Sequence, residues 1–177
     1  MNRMAASFVH LHLHSEYSLS DSTIQVKPLV SAVAAAAMPA VAVTDQCNLF
    51  AMVKFYRAAL AAGIKPIIGV DLQLQSSHDR ETAALVLLCQ NQQGYLNLTH
   101  LISRAYIEGQ HQGKPVVCAD WLQQHSEGLI ALSGGRVGDV GQALLAGKDD
   151  LARRHLETWM HLFPDRFYLE IQRTGRP

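Results

Sequence analysis

The sequence predicts an α/β fold with parallel strands, and two patterns carry that expectation. Short apolar runs bounded by turn residues alternate along the chain with stretches of helical period. Residues 8–14 also alternate strictly, with Val9, Leu11 and Leu13 on one face and His10, His12 and His14 on the other. Six such strands would form either an open doubly wound sheet or most of a barrel.

Residues 8–14 open the fold as a strand. An alanine-rich helix follows over 26–37 and ends near Met38 and Pro39, because the residue before a proline disfavours the helical region. Its alanine face is expected to pack against strands. Residues 40–44 form a short buried strand closing on Asp45. Asn48 can cap a helix running to Ala62, where Gly63 stops it. Residues 67–74 are a third strand, 76–82 a polar loop and 84–89 a fourth strand. Residues 94–108 are helical, with Leu98, Leu101, Ile102 and Ala105 on one face. A polar loop over 109–113 leads to a short helix at 118–125. A fifth strand at 129–133 runs into the turn Gly134-Gly135. Helices at 140–145 and 149–162 precede a sixth strand at 167–172. The sequence then stops on Thr174-Gly175-Arg176-Pro177 without a closing helix, so the natural chain is expected to continue. No internal repeat or low-complexity tract sets a domain boundary.

Composition narrows the function classes. The 177 residues are 49% hydrophobic, enough for one sizeable core. Fifteen basic residues balance fifteen acidic ones, whereas a domain gripping nucleic acid through phosphates usually carries a basic excess. Cys47, Cys89 and Cys118 are odd in number and widely spaced, which argues against a disulfide framework or zinc ribbon and for a reducing compartment. The N-terminus lacks the apolar core of a signal peptide. The longest apolar run is mostly alanine, contains Pro39, and is not expected to span a membrane.

The strongest chemical feature is His12-Leu13-His14. Two histidines at i and i+2 of a strand point the same way and can reach one ion. Asp21 follows in the next loop, Asp45 ends the second strand and Asp71 lies in the third; carboxylates there could complete a metal site. Plainer readings stand beside these. His-x-His is common on half-exposed strands, Asp45 could cap the next helix, and Asp71 could be solvated. His78, His100, His111, His125, His155 and His161 have no partner spacing and read as surface or packing residues. Gly134-Gly135-Arg136-Val137-Gly138 matches neither phosphate-binding pattern and reads as a strand-to-helix turn. Ser133 lacks the context of a nucleophile elbow.

The stretch from Phe8 to Ser18, with Asp21, resembles the opening motif of PHP (polymerase and histidinol phosphatase) domains in bacterial replicative polymerases. Pro39 to Asp45 with Asn48-Leu49-Phe50 and Val53-Lys54-Phe55-Tyr56 is similar to the second motif, and Gly63 to Gly69 with Asp71 to the third. Gly94-Tyr95-Leu96-Asn97-Leu98, residues 127–136, and residues 163–170 with Arg173-Thr174-Gly175-Arg176 resemble the polymerase III alpha subunits in their proteobacterial form. The resemblance covers nearly the whole chain.

The resemblance implies a distorted, TIM-like βα barrel of the PHP type, of which residues 1–177 are the N-terminal part, incomplete at the C-terminus. The polymerase domains would lie outside this stretch. Intact members hold a cluster of metal ions. Here Gln46 stands where they have histidine, Asp71 where a glutamate is expected, Ala84 where a histidine is expected and Gly135 where a cysteine is expected. His12, His14, Asp21 and Asp71 remain as a vestigial ligand set, with Asp45 in support and no catalytic residue. The resemblance therefore implies a scaffold without a firmly bound cofactor, holding at most residual zinc or manganese. Magnesium belongs to the parent polymerase's own reaction. The implied partners are the other subunits of the polymerase III holoenzyme, above all the proofreading exonuclease, with DNA held by the absent domains, no membrane and a cytoplasmic location. The alternatives are an active PHP phosphoesterase or pyrophosphatase, and an unrelated barrel hydrolase sharing only the His-x-His.

Overall fold

The computed structural model describes residues 8–19, 21–75, 82–111 and 113–172. The fold is mixed α/β and divides into two compact units, one ending at Val70 and the other beginning at Asp71.

In the first unit, strand β1 (Ala40–Val43) runs parallel to the first half of β2 (Lys65–Gln75), with Ala40 opposite Lys65 and Val43 opposite Ile68. Helices α1 (Val26–Ala35) and α2 (Met52–Ala61) pack together. Val26, Val30, Val33, Phe55 and Ala59 close on Val41, Val43 and Ile64 as one buried core. The valines of α1 make that contact. Ala32, Ala34 and Ala35 face solvent, which corrects the expected alanine-on-strand packing. The larger side chains remove more apolar surface from water, so they set the rotation of the helix.

Residues 8–14 are extended beside β1 but are not a regular strand, contrary to the alternation. Ala42 N donates to His10 O and Thr44 N to Leu13 O, both at 2.8 Å. A step of two residues on β1 thus matches a step of three on the incoming segment. One extra residue is accommodated as in a β-bulge, which bends the chain and re-aims its side chains. Asn48 caps a turn, with Phe50 N donating to its Oδ1 at 3.1 Å, and α2 begins only at Met52.

In the second unit, the rest of β2 pairs in parallel with β6 (Val117–Cys118). Strand β3 (Thr82–Cys89) lies between β2 and β7 (Leu129–Leu132), and β8 (Phe167–Tyr168) follows β7 in parallel. The β3–β7 pair is antiparallel, Val86 opposite Leu132 and Cys89 opposite Leu129. The expected parallel strands are found at β1–β2, β2–β6 and β7–β8, and the antiparallel β3–β7 pair corrects that expectation there. Residues 84–88 are buried throughout, and a strand covered on both faces reads the same in either direction. Strands β4 (Gln110–His111) and β5 (Lys114–Pro115) make a small hairpin where a polar loop is expected. The remaining helices are α3 (Gln92–Ile107), α4 (Ala119–His125), α5 (Asp139–Leu145) and α6 (Asp149–Leu162). Thr82 opens β3, but 76–81 of the expected loop, with His78, lie outside the described residues, as do residues 173–177. Among the described residues no helix is long and apolar enough to cross a membrane.

Helix α3 is seated by a backbone contact. Asn91 caps it through Gly94 N at 3.0 Å, and Asn97 Nδ2 donates to Glu127 O at 2.9 Å. A Cβ on Gly94 would fall 1.9 Å from Gly128 O. Gly94→Ala, which in an ordinary helix interior gains about 0.5–1 kcal/mol, is expected to lose stability here. A fall in the urea midpoint at unchanged slope would show it; a rise would mean the close approach is soft.

Candidate metal centre

His12 and His14 lie beside each other, as their i, i+2 spacing predicts. Their Nε2 atoms are 3.3 Å apart and both residues are half-buried. The ring centroids lie 5.1 Å apart at 62°. His14 uses its other nitrogen, Nδ1, on the Asp21 carboxylate. Asp21 thus meets the opposite edge of the ring from His12. In such a chain the carboxylate fixes the imidazole tautomer and leaves Nε2 with its lone pair directed away. The two Nε2 atoms have a separation that neighbouring donors to one ion also have, and they can equally share one proton.

Beneath the histidines is a buried polar knot. Asp45 is 2% exposed and caps no helix. Its Oδ1 accepts from Ser15 N and Ser18 Oγ, and its Oδ2 from Ser15 Oγ, each at 2.7 Å. Ser18 Oγ also accepts from Gln46 N at 3.1 Å. Thr44 Oγ1 accepts from Leu13 N at 2.9 Å and donates to Leu13 O at 3.2 Å. Asn48 Nδ2 donates to Tyr17 O at 3.1 Å. The end of β1 therefore grips residues 13–18 on both sides of His14. Sequence reasoning missed Ser15, Ser18 and Thr44. The available signal was three hydroxyls beside a His-x-His and a strand-ending aspartate. Gln46, standing where the family pattern has histidine, is exposed.

Asp71 is buried within β2 at 6% exposure, which corrects the solvated reading. Ala84 in β3 is 2% exposed and lies against Gly134, where an added Cβ would fall 2.5 Å from Ala84 O and 3.1 Å from Ala84 Cβ. Gly134 and Gly135 have φ of 69° and 59°. A Cβ on Gly135 would lie 3.0 Å from Gln172 Cδ. Ala84 is thus packed beside Gly134, and Gly135 holds a left-handed backbone conformation that favours glycine.

The PHP domain model matches residues 10–174. The chain is 52% identical over 174 residues to the DNA polymerase III subunit alpha of Pseudomonas aeruginosa, covering 98% of this chain and 15% of that protein. It is 51% identical to the same subunit of Vibrio cholerae and 48% identical to that of Escherichia coli K12, each over 96% of this chain and 15% of the relative. The chain thus matches the PHP region of these alpha subunits over nearly its whole length while spanning 15% of theirs. Two solved structures are more distant. An amidohydrolase from Chromobacterium violaceum, solved with bound sulfate and no metal, is 25% identical with a TM-score of 0.44, over 55% of this chain and 32% of that one. A Bifidobacterium adolescentis protein assigned as a metal-dependent phosphoesterase is 14% identical with a TM-score of 0.45, over 58% and 34%.

Asp45→Asn tests the knot. One carboxamide oxygen remains, and the amide nitrogen is a donor set against serine donors. Loss of about 2–3 kcal/mol in unfolding free energy is expected, the scale of a hydrogen bond to a buried charge plus its orphaned partner. Urea unfolding reads it; a change under about 0.5 kcal/mol, the scale of an ordinary surface substitution, would show that the serines hold the segment without the charge.

Proposed function

This chain belongs to the PHP domain family, and from that membership we propose that it is the N-terminal part of a single PHP domain in a replicative polymerase alpha subunit, acting as a scaffold rather than a hydrolase. The observation that carries this is that Ala84 and Gly135 stand in settings that favour small residues. Ala84 is 2% exposed in a packed interior, and a cysteine at 135 would have to hold a φ near 59°. Glycine and alanine offer no ligand atom, and the exposed amide of Gln46 offers no anionic charge.

On this reading His12, His14, Asp21 and Asp71 are the residue of a ligand set, and Asp45 supports it from behind. The residues present do not fit a cluster of several ions, so no hydrolytic step is derived. His12 and His14 fit one weakly held zinc or manganese ion, with Asp21 orienting His14. When bound, such an ion would supply a Lewis-acid centre. The histidines would donate Nε2 to it, and Asp21 would keep the His14 proton on Nδ1.

The finer fold we propose is the distorted βα barrel, completed by chain that the longer relatives possess. The parallel β1–β2 and β7–β8 pairs support it. Nucleotide incorporation with magnesium, and the main grip on DNA, belong to the rest of the alpha subunit in the cytoplasm; the balanced charge of this stretch agrees with that division. The partners are the holoenzyme subunits, with the proofreading exonuclease as the one docked here. Retention of the paired histidines with Asp21 favours a second reading, an active metal-dependent phosphoesterase or pyrophosphatase.

Zinc and manganese titrations of the full-length subunit separate the two. The wild type is expected to release its metal on dialysis against a mild chelator and to leave phosphate esters and pyrophosphate intact. Gln46→His, made at an exposed side chain, is expected to raise zinc affinity severalfold. Stoichiometric metal that survives dialysis of the wild type, together with hydrolysis, would replace the scaffold reading by the hydrolase.

A further inference from the structure

Two histidines that sequence reasoning left as surface or packing residues face each other in the second unit. His100 on α3 and His125 at the end of α4 have ring centroids 4.7 Å apart, with planes tilted by 34°. Beside them the Arg104 guanidinium carbon lies 4.1 Å from the centroid of the Trp121 ring. These contacts join α4 to α3. Helix α4 has seven residues, no side-chain cap at its N-terminus, and Leu122 as its buried residue. Short helices with so little burial open locally at low cost.

The charges around the ring pair are one-sided. From α3 come His100 and Arg104, and Arg104 Nε donates to Glu108 Oε2 at 2.8 Å, so that carboxylate is engaged. From β6 comes the Cys118 thiol, 3.9 Å from Asp120 Oδ2 in the first turn of α4. Glu127, two residues past His125, is exposed. Among the described residues no carboxylate bonds either ring. The negative end of the α4 dipole favours a cation at His125. Burial, His100 and Arg104 together outweigh it and hold the His125 imidazole below the usual histidine range.

We propose that the α3–α4 seam is a pH-sensitive latch, closed while the His125 imidazole is neutral and opened when a proton on it sets a cation between the His100 ring and the Arg104 guanidinium. A histidine whose folded value is depressed contributes its full stability above the ordinary value of 6.5. That contribution is lost as pH falls below this value towards the folded one. The latch therefore opens on the acid side, and it opens α4 rather than the whole fold.

Hydrogen exchange read by mass spectrometry on the full-length subunit tests this, using peptides that cover 119–128. The comparison is between about pH 7.5 and about pH 5.5, either side of the histidine range, with rates corrected for intrinsic exchange. In the wild type, exchange of α4 is expected to rise severalfold on acidification while β3 and β7 stay protected. His125→Gln removes the charge change and is expected to abolish the rise; His100→Gln is expected to reduce it. His125→Lys places a fixed cation there and is expected to open α4 already at the higher pH. A wild type indifferent to pH, a His125→Gln variant that opens as much as wild type, or a His125→Lys variant that stays closed would each overturn the latch.

Discussion

The buried carboxylate of Asp45 is the constraint on which the first unit's functional face depends. A charge at 2% exposure survives only if its acceptors are filled, and here a backbone N–H and two serine hydroxyls fill them. All three donors come from residues 15–18, immediately after His14. The same interactions that make burial of Asp45 tolerable therefore fix the path of the segment carrying the histidine pair. Without them residues 8–19 would be an irregular stretch held by a few backbone bonds to β1. With them, the position of His14 is set from below by Ser15 and from the side by Asp21. The arrangement needs no ion to persist, because each polar group in the knot has a protein partner.

Much of this was legible in the sequence, and the parts that were not share a physical cause. The helices at 26–35, 92–107 and 149–162, and the strands at 40–43, 82–89 and 129–132, were marked by periodicity and by their capping or turn residues. The pairing of His12 with His14 followed from the i, i+2 spacing. The bulge did not. One extra residue in a strand leaves the alternation of side chains intact on paper while changing which backbone groups bond. Strand direction was hidden for a similar reason, since a fully buried run such as 84–88 carries no sign of it. The knot was hidden because serine and threonine are ordinary loop residues until the fold brings a buried acid to them. Asp45 was recognised as a strand-ending acid, but its partners lie about 30 residues earlier in the chain. Asp71 was recognised too, and its burial was the surprise.

The family resemblance and the physical reading also divide the work. The family resemblance names the residues that depart from the metal-binding pattern. The structure supplied what stands in their place: a packed alanine at 84, a glycine with positive φ at 135, and an exposed glutamine at 46. These are not equivalent losses. The alanine is buried in a strand and the glycine holds a positive φ in a turn, while the glutamine is a side chain in solvent with its main-chain N–H tied to Ser18.

On the proposed scaffold reading, that inequality would make the loss of ligands hard to reverse. Gln46 can be reversed by a single substitution. At 84 a larger side chain would enter an interior where the alanine is 2% exposed, and at 135 an L-residue would have to hold φ near 59°. Each single step back would be paid in stability before any ligand was regained, and the gain comes only when several donors act on one ion together. A route by point mutation would therefore run through less stable intermediates at 84 and 135 before the donors could act together.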